Sequence, residues 1–451
     1  MQLTFLGATN TVTGSKFLLS LNNKKILIDC GLFQGLKELR LRNWVKFPVD
    51  PRGIDAVILT HAHIDHSGYL PVLMKNGFKG KIYCSSATRD LCAVLLPDSG
   101  YLQEEEANNA NKYGYSKHHP AVPLYTRQDA ERVLTLFHPL EFRKKEKLDE
   151  DTFFSLIPAG HILGAAFVQI KSYHETLLFS GDLGRPHDIV MPPPAVMQEA
   201  DYLVLESTYG NRLHAKIDPL IELADIISRT VKRGGTIVIP AFAVGRAQHL
   251  LYLMYLLKIA KRVPAVPIYL DSPMAKNATD IFLKYTALHR LDAALSKKVC
   301  EVATYVNTKE ESQRLDQDPL PKIIISASGM LEGGRVLHHI KTFGPDERST
   351  IIFTGYQAAG TRGADMMHGK RKLKIFGTTL EIKAEVKMLS NMSAHADYEE
   401  ILDWLGNFNH HPRKVFITHG EPEAALSLKE KIEQRFRWTC VIPDYMYAEM
   451  L

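Results

Sequence analysis

The stretch Ala56-Val57-Ile58-Leu59-Thr60-His61-Ala62-His63-Ile64-Asp65-His66-Ser67-Gly68 decides how the rest of the chain is read. Its opening residues are apolar or β-branched and fit a buried strand, and the next six positions, 61 to 66, hold three imidazoles and a carboxylate. On an extended segment residues two apart share a face, so His61 and His63 point together. A turn into a helix then swings Asp65 and His66 to an adjacent point. One loop can therefore serve two ions. Imidazole and carboxylate suit zinc, manganese or iron; with no thiolate in the pattern zinc is preferred, and Mn2+ or Fe2+ stay open.

Two ions need more ligands than one loop offers, so His or Asp is expected at the ends of other strands. Three places supply them. The run 153–157 leads to Pro158-Ala159-Gly160-His161, the run 177–180 leads to Gly181-Asp182, and the run 415–418 leads to His419. We assign His61, His63 and His161 to a first ion, Asp65, His66 and His419 to a second, and Asp182 to a bridge between them. Asp29, closing the run Ile26-Leu27-Ile28, is expected to accept a hydrogen bond from a ligand imidazole and fix its orientation.

The chain has 451 residues, about three times the commonest domain length, so two domains with sizeable cores are expected. Hydrophobic residues at 45% and charged residues at 23% exclude a disordered chain. A net charge of +5 is too small by itself to identify a polyanionic partner. Five scattered cysteines without a CxxC pair exclude both a disulfide framework and a thiolate zinc site, and point to a reducing compartment. The N-terminus has no basic leader, and the longest apolar stretch, near 250–257, is too short to cross a bilayer. No membrane partner and a cytoplasmic location are expected.

Up to about residue 210 short β-rich runs alternate with Gly or Asp turns, including a hairpin through Asn22-Asn23, which predicts packed sheets. From 211 helices alternate with apolar strands, as in 217–232 and then 236–240, the pattern of a parallel sheet covered by helices. Strands return after about 380. The second domain therefore reads as an insertion, 211–385, between two parts of the first, 1–210 and 386–451. The polar stretch 97–125 reads as a solvated insertion or a lid.

HxHxDH with distant His, Asp and His downstream resembles the metallo-β-lactamase-fold hydrolases. Leu205-Glu206-Ser207-Thr208-Tyr209-Gly210, Met392-Ser393-Ala394-His395-Ala396-Asp397 and Thr418-His419-Gly420 look like motifs A, B and C of the β-CASP nucleases. Asp29, the His61 to His66 loop, His161 and Asp182 look like that superfamily's motifs 1 to 4. The likeness spans nearly the whole chain and points to the bacterial and archaeal homologues of the cleavage and polyadenylation endonuclease subunit. It implies an α/β fold: a metallo-β-lactamase αββα sandwich with an inserted β-CASP domain whose parallel sheet is covered by helices. Histidine in motif C, where the DNA-acting branch typically has valine, implies RNA.

The resemblance further implies a ribonuclease with two Zn2+ ions, working on single-stranded RNA in processing or decay, as an endonuclease, a 5′ exonuclease or both. In it His395 is the acid that protonates the leaving 3′ oxygen, Glu206 orients that imidazole, and Asp65 and Asp182 are the catalytic carboxylates. A homodimer is one option for its assembly. Nothing resembling a KH module precedes Met1 and the chain ends soon after motif C, so specificity supplied by such additions in relatives is expected to be missing.

Strand, Gly-rich loop and helix recur at Ser326-Ala327-Ser328-Gly329-Met330 with Gly333-Gly334-Arg335, and at Gly355-Tyr356-Gln357 through Gly360-Thr361-Arg362-Gly363. Backbone N–H groups there can cradle phosphates and arginine adds bidentate contacts, so Ser328, Gly329, Arg335, Gln357, Thr361 and Arg362 are expected to touch substrate. Two other functions compete with RNA hydrolysis. Action on a small ester or thioester leaves the inserted domain, Glu206 and His395 without a purpose, action on DNA is disfavoured by His419 in motif C, and a noncatalytic scaffold has no use for a complete ligand set.

Overall fold

A computed structural model describes residues 1–114, 116–173 and 175–451; Tyr115, within the polar stretch 97–125, lies outside them. The chain divides into two compact units, Met1–Leu213 with His395–Leu451, and His214–Ala394.

The first unit is built on two seven-stranded sheets. One runs in the order Ala448–Met450, Gln2–Phe5, Phe17–Leu21, Lys24–Ile28, Ala56–Ile58, Lys81–Ser85, Phe137–Leu140; the other in the order Cys440–Val441, Lys414–Thr418, Tyr202–Glu206, Glu175–Phe179, Ala166–Ser172, Thr152–Pro158, Glu146–Lys147. Alternating residues from both fill the space between them, with Phe5 against Phe416 at 5.1 Å and Phe17 against Phe179 at 5.8 Å joining the facing sheets. Helices cover the outer faces: Ser86–Tyr113 packs on the first sheet and Pro422–Phe436 on the second. This is the expected αββα sandwich. The hairpin through Asn22-Asn23 forms, with Leu21 opposite Lys24 and Asn22 in the left-handed region at φ 51°.

Parallel pairing explains why this fold makes a site. Ile28 pairs with Ile58, so Asp29 and the strand exit toward His61 lie side by side. In the other sheet Phe179 pairs with Val204, and Glu206 with Thr418. The segments leading to Asp182, Glu206 and His419 therefore leave their strands at one edge. His161 lies in the connection of the antiparallel pair that closes with Pro158 opposite Ala166.

The stretch 97–125, read from the sequence as a solvated insertion or a lid, is helical and mostly exposed or half-buried through its first half, because the helix Ser86–Tyr113 continues past Pro97. Leu91, Cys92, Leu95 and Leu96 are buried along it, and that anchorage outweighs the hydrogen bond that proline removes.

The second unit contains a six-stranded, all-parallel sheet ordered Thr304–Tyr305, Ile268–Asp271, Ile323–Ser326, Ile237–Pro240, Thr350–Phe353, Glu385–Met388. Its strands are nearly all apolar and its helices, among them Pro219–Lys232 and Val336–Phe343, bury one face each. Glu385–Met388 pairs with Thr350–Phe353 as an edge strand. The chain therefore stays with this unit through Ala394 instead of returning to the first at 386. Among the described residues no helix is long and apolar enough to cross a membrane.

Candidate metal centre

The chain leaves the strand Ala56–Ile58, passes His61 and His63, and turns into the short helix Ile64–Ser67 that carries Asp65 and His66. Two glycines let neighbouring backbone approach this loop and its partners. A Cβ on Gly31 would lie 1.6 Å from the carbonyl oxygen of Asp65, and one on Gly184 would lie 2.5 Å from the amide nitrogen of His161. His419 and Asp29 adopt left-handed backbone at φ 48° and 58°. For side-chain-bearing residues this costs about 1–3 kcal/mol each, a strain the packed strand ends hold in place.

The ligand candidates fall into two groups. His61, His63, His161 and Asp182 bring their donor atoms within 4.8 Å of one another, and so do Asp65, His66 and His419. In the first group the closest approaches are His61 Nε2 to His63 Nδ1 at 3.1 Å, His161 Nε2 to His63 Nδ1 at 3.4 Å, and Asp182 Oδ2 to His61 Nε2 and to His161 Nε2 at 3.3 Å each. In the second, His66 Nε2 is 3.1 Å from His419 Nε2, which is 3.4 Å from Asp65 Oδ2. The other oxygen of Asp182, Oδ1, is 3.2 Å from His66 Nε2. Its carboxylate thus touches both groups.

These distances fit metal ions. Tetrahedral coordination with metal–nitrogen bonds of about 2.0–2.1 Å places neighbouring ligand atoms about 3.3 Å apart. Hydrogen bonding on the far side of the rings also directs lone pairs inward. His66 Nδ1 donates to Asp29 Oδ2 at 2.8 Å. Thr60 Oγ1 donates to the same oxygen at 2.8 Å and so accepts from His61 Nδ1 at 3.0 Å. Thr208 Oγ1 donates to the carbonyl of His419 at 3.1 Å and accepts from its Nδ1 at 3.1 Å. Each arrangement leaves Nε2 as an acceptor facing the cluster.

The electrostatics point the same way. Burial pushes His61 down to about 3 and His63 down to about 4, and holds His161 well below the ordinary imidazole value, so all three are neutral and ready to coordinate. Burial acts on His66 in the same sense, but Asp182 and Asp29 overcome it and raise that ring well above its usual value. Asp65 and Asp182 stay ionised: burial opposes this, but the surrounding imidazoles lower both. The second group is a place that asks for positive charge.

Beside the two groups stands His395. Its Nδ1 lies 3.0 and 3.1 Å from the two oxygens of Glu206, and its Nε2 lies 4.0 Å from Asp182 Oδ2. Glu206, buried at the end of Tyr202–Glu206, also accepts the Leu183 N–H at 2.6 Å and the Thr208 N–H at 3.3 Å. The segment carrying His395 is pinned by the Ala396 N–H to the Leu183 carbonyl at 2.9 Å. A capping box of Asp397 and Glu400 then starts the helix Tyr398–Leu405. Burial lowers the His395 pKa, but Glu206 and Asp182 raise it to about 9. His63, Asp65 and His395 are half-buried while His61, His66, His161, Asp182 and His419 are buried, so solvent reaches the site past the first three.

The residues expected to touch substrate belong to the second unit, where they make internal hydrogen bonds. Arg335 donates to Asp271 at 2.7 Å and to the carbonyls of Val306 and Asn307. Gln357 Nε2 donates to the carbonyls of Gly329 and Gly355, and Arg362 to those of Leu331 and Lys374. Thr361 caps the helix Arg362–Met367, and Ser328 Oγ accepts the Glu332 N–H. These side chains brace two loops against each other. Three further residues that meet the ligands, Ser15, Thr60 and Thr208, received no role from the sequence. Ser15 Oγ is 3.3 Å from His66 Nε2. The only signals were a hydroxyl next to a ligand in the chain, at Thr60, and a hydroxyl within motif A, at Thr208; Ser15 carried none.

The sequence matches the metallo-beta-lactamase superfamily over residues 12–223, the Beta-Casp domain over 247–366, and the Zn-dependent metallo-hydrolase RNA specificity domain over 379–443. It is 35% identical to Ribonuclease TTHA0252 of Thermus thermophilus, covering 96% of each chain. It is 32% identical to transcription termination factor FttA of Methanosarcina mazei, covering 97% of this chain and 69% of that one. With Integrator complex subunit 11 of Danio rerio the identity is 29%, over 98% of this chain and 73% of the relative. A crystal structure of a protein of unknown function from Enterococcus faecalis V583 shares the fold, with a TM-score of 0.55 and 14% identity over 100% of this chain and 99% of the other.

Proposed function

The chain belongs to the β-CASP family of the metallo-β-lactamase superfamily, and from that premise we propose that it is a two-zinc ribonuclease cleaving phosphodiester bonds of single-stranded RNA. The observation that carries this reading is the Asp182 carboxylate, with Oδ2 3.3 Å from two imidazoles of one group and Oδ1 3.2 Å from an imidazole of the other. His61, His63, His161 and one Asp182 oxygen would hold the first ion; Asp65, His66, His419 and the other oxygen would hold the second. Cations held in these places would supply charge for the nonbridging phosphate oxygens and would acidify the attacking water.

The chain's own residues do the rest. Glu206 accepts the Nδ1 proton of His395, which leaves the second ring proton on Nε2, the nitrogen facing Asp182. That proton passes to the departing 3′ oxygen, which otherwise leaves as a poor alkoxide; such a transfer contributes about 10²- to 10⁴-fold. Glu206 is a positioning residue, fixed by two backbone N–H groups so that its negative charge stays under the imidazole. Asp29, Thr60 and Thr208 hold ligand rings in the tautomer that coordinates.

The test combines elemental analysis with RNA labelled separately at each end. The expected result is two zinc ions per chain and cleavage that stops with a chelator and with Asp182→Asn. Internal fragments indicate an endonuclease, and mononucleotides released from the 5′ label indicate an exonuclease. A reconstituted protein holding no metal, or leaving RNA intact, overturns the proposal.

A further inference from the structure

Downstream of Asp29 the chain exposes apolar side chains that globular proteins ordinarily bury. Trp44 is 55% exposed and Val45 64%, with Leu36 and Leu41 open beside them. This exposure is built in. Asn43, itself buried, accepts the Phe33 N–H at 2.9 Å and donates to the Phe33 carbonyl at 2.8 Å, which holds the corner carrying Trp44 outward. Upstream the same segment is tied to the metal-binding helix: the Cys30 N–H donates to the His66 carbonyl at 2.7 Å and the Leu32 N–H to that of Ile64 at 2.9 Å.

The charge around this corner is net positive. Lys37, Arg40, Arg42 and Lys46 stand against Glu38, Asp50 and Asp444, of which Asp50 is paired with Arg52 at 2.7 Å and Asp444 is engaged by Asn10 at 3.1 Å. The Arg42 guanidinium lies 4.8 Å over the ring of Tyr445, a second exposed aromatic. A second copy of the chain docked here by twofold symmetry would bring eight cations together. A polyanion with flat apolar faces is complementary instead, because phosphates meet the cations and bases stack on the rings.

We infer that residues 36–46 with Tyr445 form a stacking and charge platform for single-stranded RNA, lying outside the metal centre and resting on the ribonuclease reading. Trp44 supplies the stacking face, and Lys37, Arg40 and Lys46 the backbone contacts.

Tryptophan fluorescence makes the platform directly observable. The chain has three tryptophans, and Trp404 and Trp438 are 5% and 4% exposed, so a solute quencher reports mainly on Trp44. Metal-loaded protein in a His395→Ala background should show RNA-dependent protection or quenching of this emission with oligouridylate, and Trp44→Ala should weaken oligouridylate binding by roughly tenfold. Replacing Lys37, Arg40 and Lys46 together by glutamine should flatten the dependence of log affinity on log salt by about 2. In otherwise wild-type protein Trp44→Ala should leave hydrolysis of bis(p-nitrophenyl) phosphate unchanged. If wild type cuts RNA but Trp44→Ala binds it with undiminished affinity, or converts a dimer to a monomer, the platform is wrong while the ribonuclease reading survives. If wild type cuts no RNA, that reading fails first.

Discussion

Both units gather buried ionisable side chains at the ends of parallel strands, and they use them in opposite ways. In the first unit, imidazole nitrogens face one another at 3.1–3.4 Å around Asp182, and the His61, His66 and His419 rings commit their protons to hydrogen bonds on the far side. In the second, Asp271 closes the strand Ile268–Asp271 and takes His339 Nε2 at 2.8 Å, Ser312 Oγ at 2.5 Å and Arg335 at 2.7 Å, while His339 Nδ1 meets Asp316 at 2.6 Å. With a carboxylate on each nitrogen, His339 keeps no lone pair for an ion. Burial and residue type are shared by the two clusters; lone pairs left unclaimed by protons separate a candidate metal centre from a structural brace.

Breaking the first arrangement should have the largest effect. Asp182→Asn replaces an anion shared by both groups with an amide. It is expected to lose metal by elemental analysis and, since cation stabilisation of phosphate is worth several kcal/mol, on the order of 10⁴-fold in cleavage rate. Retained stoichiometry of two ions in this variant would remove the bridge from the picture. Next comes His395→Ala, with turnover reduced about 10³-fold and metal content unchanged. The pH profile sharpens this case. An acid in the proposed role acts protonated, and the His395 pKa is raised to about 9, so turnover should hold through neutral pH and fall as pH rises past that value. Glu206→Gln removes the main attractive charge and should move the fall to lower pH. A Glu206→Gln profile that is merely scaled down would assign Glu206 to structure alone.

The second arrangement should break as a fold does. Asp271→Asn leaves the Arg335 guanidinium without its anion and His339 with Asp316 alone, at an expected cost of about 3–5 kcal/mol in denaturant unfolding, with metal content retained. The sign of its pH dependence comes from two shifts. Burial opposes both, but His339 is raised above 6.5 by Asp271 and Asp316, and Asp271 is lowered below 3.8 by His339, Ser312 and Arg335. The His339 contribution is full below 6.5 and lost as pH rises through the raised value. The Asp271 contribution is full above 3.8 and lost as pH falls through the lowered one. The difference from wild type should therefore be widest between those limits, and a pH-independent difference would mean that packing, not charge, holds this cluster.

How much of the molecule was legible in the sequence depends on what each feature requires. The ligand candidates were legible because each comes just after an apolar run, and parallel pairing brings the exits of such runs to one edge. Thr60 and Thr208 were not, since a hydroxyl near a ligand becomes a partner only once the ring's orientation is known. Arg335, Gln357 and Arg362 read as phosphate contacts because residue type shows capacity to donate; their bonds to carbonyls distant in sequence become visible only in the fold. The edge strand Glu385–Met388 hid the end of the second unit, having half-buried positions and no continuous apolar run.

The smallest predicted effect probes a residue that received no role from the sequence. Thr208 sits between Glu206 and His419: its N–H donates to the carboxylate and its hydroxyl takes the Nδ1 proton of the imidazole. Thr208→Val keeps the shape and the backbone bond but removes the acceptor, so the buried Nδ1–H of His419 loses its partner and the ring is freer to turn its lone pair away. Affinity for the ion of the second group should fall about 10- to 100-fold, read by competition with a chromogenic chelator, while the first group keeps its ion. Because Glu206 and His395 are untouched, cleavage should return to near wild type at saturating metal. A defect that saturating metal leaves in place would instead mean that Thr208 acts through the His395 side of the site, and the separation of the ion-holding groups from the proton donor would need redrawing.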